Sequence, residues 1–132
     1  GPIHIHGEDY LPVYKELMEL CDEYFEEVIG TYPDFWDTDE SPQEFYDRTI
    51  DTITDCDLFI AEVTSPSHGV GMELQMAVNN DIPVLALAQE GEDISSMVEG
   101  LPTLHKVLRY SNREDLVDKL EEELQNWEES NG

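Results

Sequence analysis

The chain has 132 residues, enough for one domain with a sizeable core, and 39% of them are hydrophobic. Against 32 aspartates and glutamates stand only 6 lysines and arginines, a formal net charge of −26, which repels DNA, RNA and anionic membranes. No apolar run approaches the roughly 20 residues of a membrane span and the start lacks the basic and apolar parts of a secretion signal, so the expectation is a soluble cytoplasmic protein.

Gly1-Pro2 reads as a protease-cleavage scar outside the fold. Ile3 to His6 reads as a short strand ending at Gly7. Tyr10, Tyr14, Leu17, Met18, Cys21, Phe25 and Val28 then recur at three-and-four spacing, which predicts an amphipathic helix from about Asp9 to Val28. Val28 to Tyr32 fits a second strand. Pro33 to Glu40 is an Asp-rich loop, whose Phe35 and Trp36 either cap the core or line a base pocket or subunit interface. Ser41-Pro42-Gln43-Glu44 is a capping box with Pro at the first helical position, opening a helix to about Thr54. Asp57 to Val63 is a buried strand, Thr64 to Gly69 a turn-rich loop, and Val70 to Asn79 a helix. Ile82 to Ala88 is a second, almost wholly apolar strand, and Lys106 to Tyr110 a last one. Ser111-Asn112-Arg113-Glu114 is another capping box. It opens a helix carrying Leu116, Leu120, Leu124 and Trp127, and the final five residues are expected to fray.

Strands apolar on both faces belong inside a parallel sheet. Their alternation with helices predicts an α/β protein: a single doubly wound five-stranded parallel sheet with helices on both faces, Rossmann- or flavodoxin-like. Such sheets bind ligands beyond the carboxyl ends of their strands, where strand order reverses. The acid is spread over every predicted helix, as on a solvated surface, and reads as adaptation to high salt, where screening removes self-repulsion. Cys21 and Cys56 follow no metal or redox spacing and read as buried thiols of a reducing compartment. His4, His6, His68 and His105 bring no cluster of further ligands with them, so no metal is expected.

The stretch with chemistry in it runs from Asp57 to Leu74: a strand, a Ser/Pro/Gly loop, then a helix. Gly69 and Gly71 permit positive φ and close backbone approach. The loop amides and the helix N-terminus make an anion site, and Ser67 adds a hydroxyl donor, a set that suits a 5′-phosphate. Glu73 is expected within the first turn, with its carboxylate beside the same crevice. Spacing alone also fits an acid that stabilises the helix dipole. The dinucleotide pattern Gly-x-Gly-x-x-Gly is absent.

In this stretch Asp57, Ala61-Glu62-Val63-Thr64, Pro66-Ser67, Gly69-Val70-Gly71, Glu73-Leu74 and Ala77 stand in register with a known motif. A second block, Pro83-Val84-Leu85 followed by Ile94-Ser95-Ser96-Met97-Val98-Glu99-Gly100, and an aromatic at Tyr110 follow in order. The sequence resembles the nucleoside 2-deoxyribosyltransferase family, in particular its 2′-deoxynucleoside 5′-monophosphate N-glycosidase branch, from about Phe45 to the C-terminus. The resemblance implies that Glu73 is the nucleophile at the anomeric carbon. It also implies that Ser67, the Gly69 amide and Ser95 hold the 5′-phosphate, with Gly71 and Asp57 in the same substrate-binding motif. By that resemblance Ser95 reaches the site from a neighbouring subunit, which implies a homodimer; the residue also fits a plain helix N-cap. The family's Ser-Ile-Arg-Gly-Gly loop is missing after the first strand, and His4 stands where the family has an active-site Tyr. Thr49 replaces an Asp that assists base departure. Asp47 and Asp51 flank it on other sides of the helix, and His4 is a second source of the proton. The function expected is therefore an N-glycosidase or deoxyribosyltransferase-like enzyme acting on a nucleoside 5′-monophosphate or related N-riboside, without metal or organic cofactor. The alternative is a catalytically weakened nucleotide-binding or sensing protein on the same fold.

Overall fold

The computed structural model describes residues 2–6, 19, 27–30, 39–64 and 68–131, and for 2–6, 27–30 and 131 the backbone alone. In chain order the elements are β1 (Pro2–His6), β2 (Glu27–Gly30), α1 (Pro42–Thr54), β3 (Leu58–Glu62), α2 (His68–Asn79), β4 (Val84–Gln89), α3 (Ser96–Glu99), β5 (Leu104–Tyr110) and α4 (Arg113–Asn131). Of the predicted helix over Asp9–Val28, the described residues are Glu19, which is helical, and Glu27 and Val28, which belong to β2 instead; the rest of it, Phe35 and Trp36, Cys21 and Ser67 lie outside the described residues.

The core is built on β3 and β4, whose side chains are buried on both faces. Leu58, Ile60, Leu85 and Leu87 point to one side, with Leu108 and Tyr110 of β5, and meet Leu116, Leu120 and Leu124 of α4. Those three leucines recur every fourth residue and form one stripe. Phe59, Ala61, Val84, Ala86 and Ala88 point to the other side and meet Ile53 of α1 with Val70, Leu74 and Ala77 of α2. Helices on both faces thus explain why β3 and β4 read as continuous apolar runs. The α/β class with a parallel sheet is as expected. The backbone pairing runs in the order β2-β1-β3-β4-β5, with each neighbouring pair parallel. The order turns back at β1, so the crevice lies at the carboxyl ends of β1 and β3.

Beyond the core, α4 is clasped to β5 by a buried carboxylate. Lys106 Nζ donates to Glu123 Oε2 at 3.0 Å, and His105 Nε2 lies 2.8 Å from Glu123 Oε1. The His105 ring meets Trp127 edge-on at 5.3 Å. Burial pushes the Glu123 carboxyl up, but the bonds from Lys106 and His105 outweigh it and hold it below its ordinary value.

Several boundaries differ from the sequence reading. The Ser41 capping box forms as expected, with Ser41 Oγ accepting from Glu44 N at 3.1 Å. At α4 the cap is Asn112 and not Ser111: Asn112 Oδ1 accepts from Asp115 N at 2.9 Å, while the Asp115 carboxylate accepts from Ser111 N at 2.8 Å. Asn caps as well as Ser, so the first helical bond, from Leu116 N to Asn112 O, settles the register. The helix then runs through Asn131 where fraying was expected. Pro2, read as part of a scar, opens β1 and pairs with Glu27; a strand's first residue is where Pro is tolerated. Finally, α2 begins at His68, two residues early, and takes Gly69 into the helix beside Gly71. The expected positive φ is not what Gly71 supplies; among the described residues the glycine in that region is Gly91, at 81°.

Cys56 is buried, with its thiol 3.1 Å from Ile53 O, and packs as a small hydrophobe. Among the described residues no three His, Cys, Asp or Glu gather as metal ligands, and no helix is long and apolar enough to cross a membrane.

Candidate active site

The inward stripe of α2 is Val70, Glu73, Leu74 and Ala77. That is the i, i+3, i+4, i+7 spacing of a core-facing helix surface, with one member a carboxylate. Glu73 is 4% exposed. It lies five residues into the helix, in its second turn, and the first turn holds no acid. The sequence reading placed it in the first turn, where a dipole-stabilising role was equally open. The dipole effect fades beyond that turn, so the dipole does not account for a carboxylate at this depth. A buried carboxylate needs its surroundings to compensate its desolvation, and an acid placed on the inward stripe of a helix is a functional candidate.

On the neighbouring helix, Thr49 and Ile53 form the inward face of α1, which packs against α2. Thr49 is 6% exposed, and its hydroxyl donates to Phe45 O of its own helix at 2.8 Å. Asp47 and Asp51, on either side of it, are exposed. His4 occupies the middle of β1, its backbone paired with Phe59 of β3 and Ile29 of β2.

Asp57, expected in the substrate-binding motif, precedes the first residue of β3 and so sits at the amino end of the sheet. Five strand residues, about 16 Å, separate it from the carboxyl end.

Ser95 caps the four-residue α3, its Oγ accepting from Met97 N at 3.1 Å. As an acceptor there, the hydroxyl still has its own proton to donate. Ser95 also borders an open cleft of about 270 Å³, together with Thr64, Val70, Gly71, Leu74, Gln75 and Val98. Gly71 is exposed, and a Cβ built on it meets nothing within 4 Å. Its missing side chain therefore keeps that wall of the cleft open. Glu73 does not border this cleft. At 100° per residue, Val70, Gly71, Leu74 and Gln75 centre on a face about 130° from Glu73. The structure therefore unites Ser95 with Gly71, and turns both away from Glu73 within one chain.

Sequence reasoning passed over a group at the carboxyl ends of the strands. Glu62, at the end of β3, accepts from Thr64 N, Thr64 Oγ1 and the Tyr110 hydroxyl. Gln89 N, at the end of β4, donates to Thr64 Oγ1 at 2.9 Å. Glu62, Thr64 and Tyr110 were noticed only as motif positions. No local signal joins residues 48 apart in the chain.

A Methanosarcina mazei protein provisionally named 2′-deoxynucleoside 5′-phosphate N-hydrolase 1 is 36% identical over 118 residues, covering 85% of this chain and 73% of that protein. One of the same provisional name from Syntrophotalea carbinolica is 38% identical over 125 residues, covering 89% and 87%. The chain belongs to the 2′-deoxynucleoside 5′-phosphate N-hydrolase family. A 5-hydroxymethyl-dUMP N-hydrolase of Danio rerio is a further member, 31% identical over 119 residues and covered to 82% of its length. No protein-family model matches the chain. Among solved structures, the CMP N-glycosidase of Clostridium botulinum superposes with a TM-score of 0.72 at 21% identity, over 89% of this chain and 97% of that one. At that identity the likeness speaks for the fold, and the shared fold agrees with the family.

Proposed function

We propose that this chain cleaves the N-glycosidic bond of a 2′-deoxynucleoside 5′-monophosphate, with Glu73 as nucleophile and water as acceptor, on a complete doubly wound five-stranded sheet. The observation that carries the reading is the carboxylate of Glu73 on the inward stripe of α2, in a member of an N-hydrolase family. N-glycosidic cleavage passes through an oxocarbenium-like state that a carboxylate stabilises or traps. One Glu73 oxygen bonds to C1′ as the C1′–N bond breaks, and the bonding pair leaves with the base. The base takes up a proton, for which His4 is the proposed source. Water then adds at C1′, gives its proton back to His4, releases the sugar phosphate and restores the carboxylate. Ser67, the Gly69 amide and Ser95 hold the 5′-phosphate in this reading, and Gly71 gives it room.

Because Ser95 and Glu73 face different sides of α2, we place Ser95 in the site of a partner protomer within a homodimer. The exposure of Met97, at 80%, and Met72, at 51%, on the elements carrying these residues supports that arrangement.

A second reading, nucleotide binding or sensing without turnover, is favoured by Thr49, whose hydroxyl is engaged by its own helix. One experiment separates the two. A panel of nucleosides and 5′-monophosphates is offered at high salt, and both free base and thermal stabilisation are recorded for wild type and Glu73→Gln. Base release by wild type that falls by at least about 10³-fold in Glu73→Gln, with stabilisation by nucleotide retained, is the expected result. Activity of the variant within tenfold of wild type removes the nucleophile assignment. Stabilisation without release in both proteins establishes the sensor.

A further inference from the structure

The segment that carries Ser95 leaves β4 through a tight turn. Glu92 N donates to Gln89 O at 3.3 Å, and Gly91 between them holds φ at 81°, a left-handed value that glycine takes at no steric cost. Asp93, Ile94 and Ser95 follow directly. Glu90, Glu92 and Asp93 crowd acids into this turn, in a chain that has only 6 lysines and arginines. Two of those cations, Arg109 and Lys119, are placed against it. Arg109 of β5 leaves the strand on the face opposite Leu108 and Tyr110. One guanidinium nitrogen donates to Gln89 O at 3.1 Å and to Glu92 O at 2.5 Å, so a single side chain bridges the first and last carbonyls of the turn. Lys119 of α4 donates to Arg109 O at 2.8 Å and lies 3.5 Å from Glu90 Oε1, while Glu90 N is fixed on Tyr110 O at 2.9 Å.

We infer that Arg109 is a positioning residue: by clamping the turn from Gln89 to Glu92 it sets where the Ser95 hydroxyl stands, and so the grip on the 5′-phosphate. The inference rests on the reading of Ser95 as a phosphate ligand. Only Asp93 and Ile94 lie between the clamp and Ser95. On the far side Ser95 anchors α3. Met97 N donates to its Oγ at 3.1 Å, and Val98 N and Glu99 N donate to its carbonyl at 3.0 and 3.2 Å. Ile94, Val98 and Leu101 pack against the core, which fixes how near α3 lies to the sheet. Apolar contact is non-directional; the path by which the chain enters α3 is set by the directional bonds of the clamp. Bonds from a cation to two carbonyls are stronger than neutral ones, and the same charge offsets the mutual repulsion of Glu90, Glu92 and Asp93. The body of α2 is held separately, by Val70, Leu74 and Ala77 in the core. Loss of Arg109 therefore reaches the phosphate grip and leaves Glu73 in place.

The test uses the full chain with Arg109→Gln, Arg109→Lys, Ser95→Ala and the double variant Arg109→Gln/Ser95→Ala. Glu123→Gln serves as a variant weakened elsewhere between β5 and α4. Arg109→Gln is expected to raise KM for a cleaved 5′-monophosphate about tenfold, since small misplacements of binding groups are felt at that scale, with kcat within about twofold. Arg109→Lys keeps the charge without the fork and is expected to lie between. The double variant is expected to match Ser95→Ala, because a residue that acts only through Ser95 then has nothing left to position. Glu123→Gln is expected to keep the wild-type KM. In parallel, amide hydrogen exchange is followed at Glu92, Met97, Val98 and Glu99, whose bonds report on the turn and on Ser95. Protection there is expected to fall in Arg109→Gln and to stay unchanged in Glu123→Gln. Arg109→Gln with wild-type KM and exchange overturns the inference, as do KM increases that multiply in the double variant. If Ser95→Ala keeps the wild-type KM, or wild type cleaves no nucleotide, the phosphate reading or the proposed function has failed by itself. Unchanged exchange in Arg109→Gln then overturns the clamp as well, and lost protection upholds it.

Discussion

Gly71→Ala separates two reasons for a glycine at the mouth of the site. Gly71 is the fourth residue of α2 and its φ is not in the left-handed region, so alanine is conformationally allowed. A Cβ there meets nothing within 4 Å, so no packing penalty applies. What remains is helix propensity, which favours Ala over Gly by about 0.5–1 kcal/mol. In a domain of this size that is a rise in melting temperature of about 2–5 °C. The same methyl enters the cleft that Ser95 borders. If the glycine is there so that phosphate can approach the backbone, the more stable variant binds monophosphate less well, with KM up by about tenfold or more. Thermal melts and steady-state kinetics on the two proteins at one salt concentration read both effects. A fall in melting temperature would refute the packing argument. A rise without any change in KM would refute the approach argument, because the space beside Gly71 would then serve no ligand.

Mixing Glu73→Gln and Ser95→Ala protomers tests the shared site: random exchange puts half the chains in heterodimers with one intact site of two, so about a quarter of wild-type activity returns. Recovery that never exceeds the sum of the two separate variants places both residues in one protomer. With a formal charge of −26, the folded state gains stability as salt screens its self-repulsion; a melting temperature unchanged from dilute buffer to molar salt removes the salt-adaptation argument. Glu123 has a carboxyl held below its ordinary value by Lys106 and His105, against the opposing effect of burial. Its contribution is therefore full above the unfolded carboxylate value, and is lost as pH falls through the lowered folded one. Glu123→Gln is accordingly expected to be about 1–2 kcal/mol less stable than wild type at neutral pH. By urea denaturation that gap closes in acid, where both proteins share the relief of net charge; a gap unchanged by pH would show that the clasp is not electrostatic.

Much of the fold was legible because its signals are local. The Ser41 box and the four-residue leucine spacing of α4 need no knowledge of distant chain. The uninterrupted apolar runs of β3 and β4 announced burial on both faces. Boundaries were less legible where two neighbouring residues serve equally well. Ser111 and Asn112 are both good caps, and only the strand exit at Tyr110 decides between them. At the start of α2, the glycines argued for loop on propensity, yet Val70, Leu74 and Ala77 bury their side chains and draw the preceding turn into the helix. Tertiary packing overrode a weak local preference.

The site was legible in its types and less so in its geometry. Glu73 stood out in the motif, but the motif could not say which way it faced. Counting from Val70 does: positions 0, 4 and 7 of the stripe are apolar and position 3 is an acid, a break in binary pattern visible in the sequence itself. Asp57 shows how far one motif can reach. It shares the motif with Glu73, yet a strand's length separates it from the carboxyl end of the sheet, because one run of residues crosses the sheet from end to end. Glu62 lay hidden for a third reason. Its donors come from Thr64, just past β3, and from Tyr110 at the end of β5, so its work as an acceptor exists only once the sheet has assembled. Two carboxylates thus lie on opposite faces of the sheet: Glu62, accepting from Thr64 and Tyr110 on the α4 side, and Glu73, buried on the inward stripe of α2. In a chain with 32 acids, neither the burial of Glu73 nor the donors of Glu62 is written in composition.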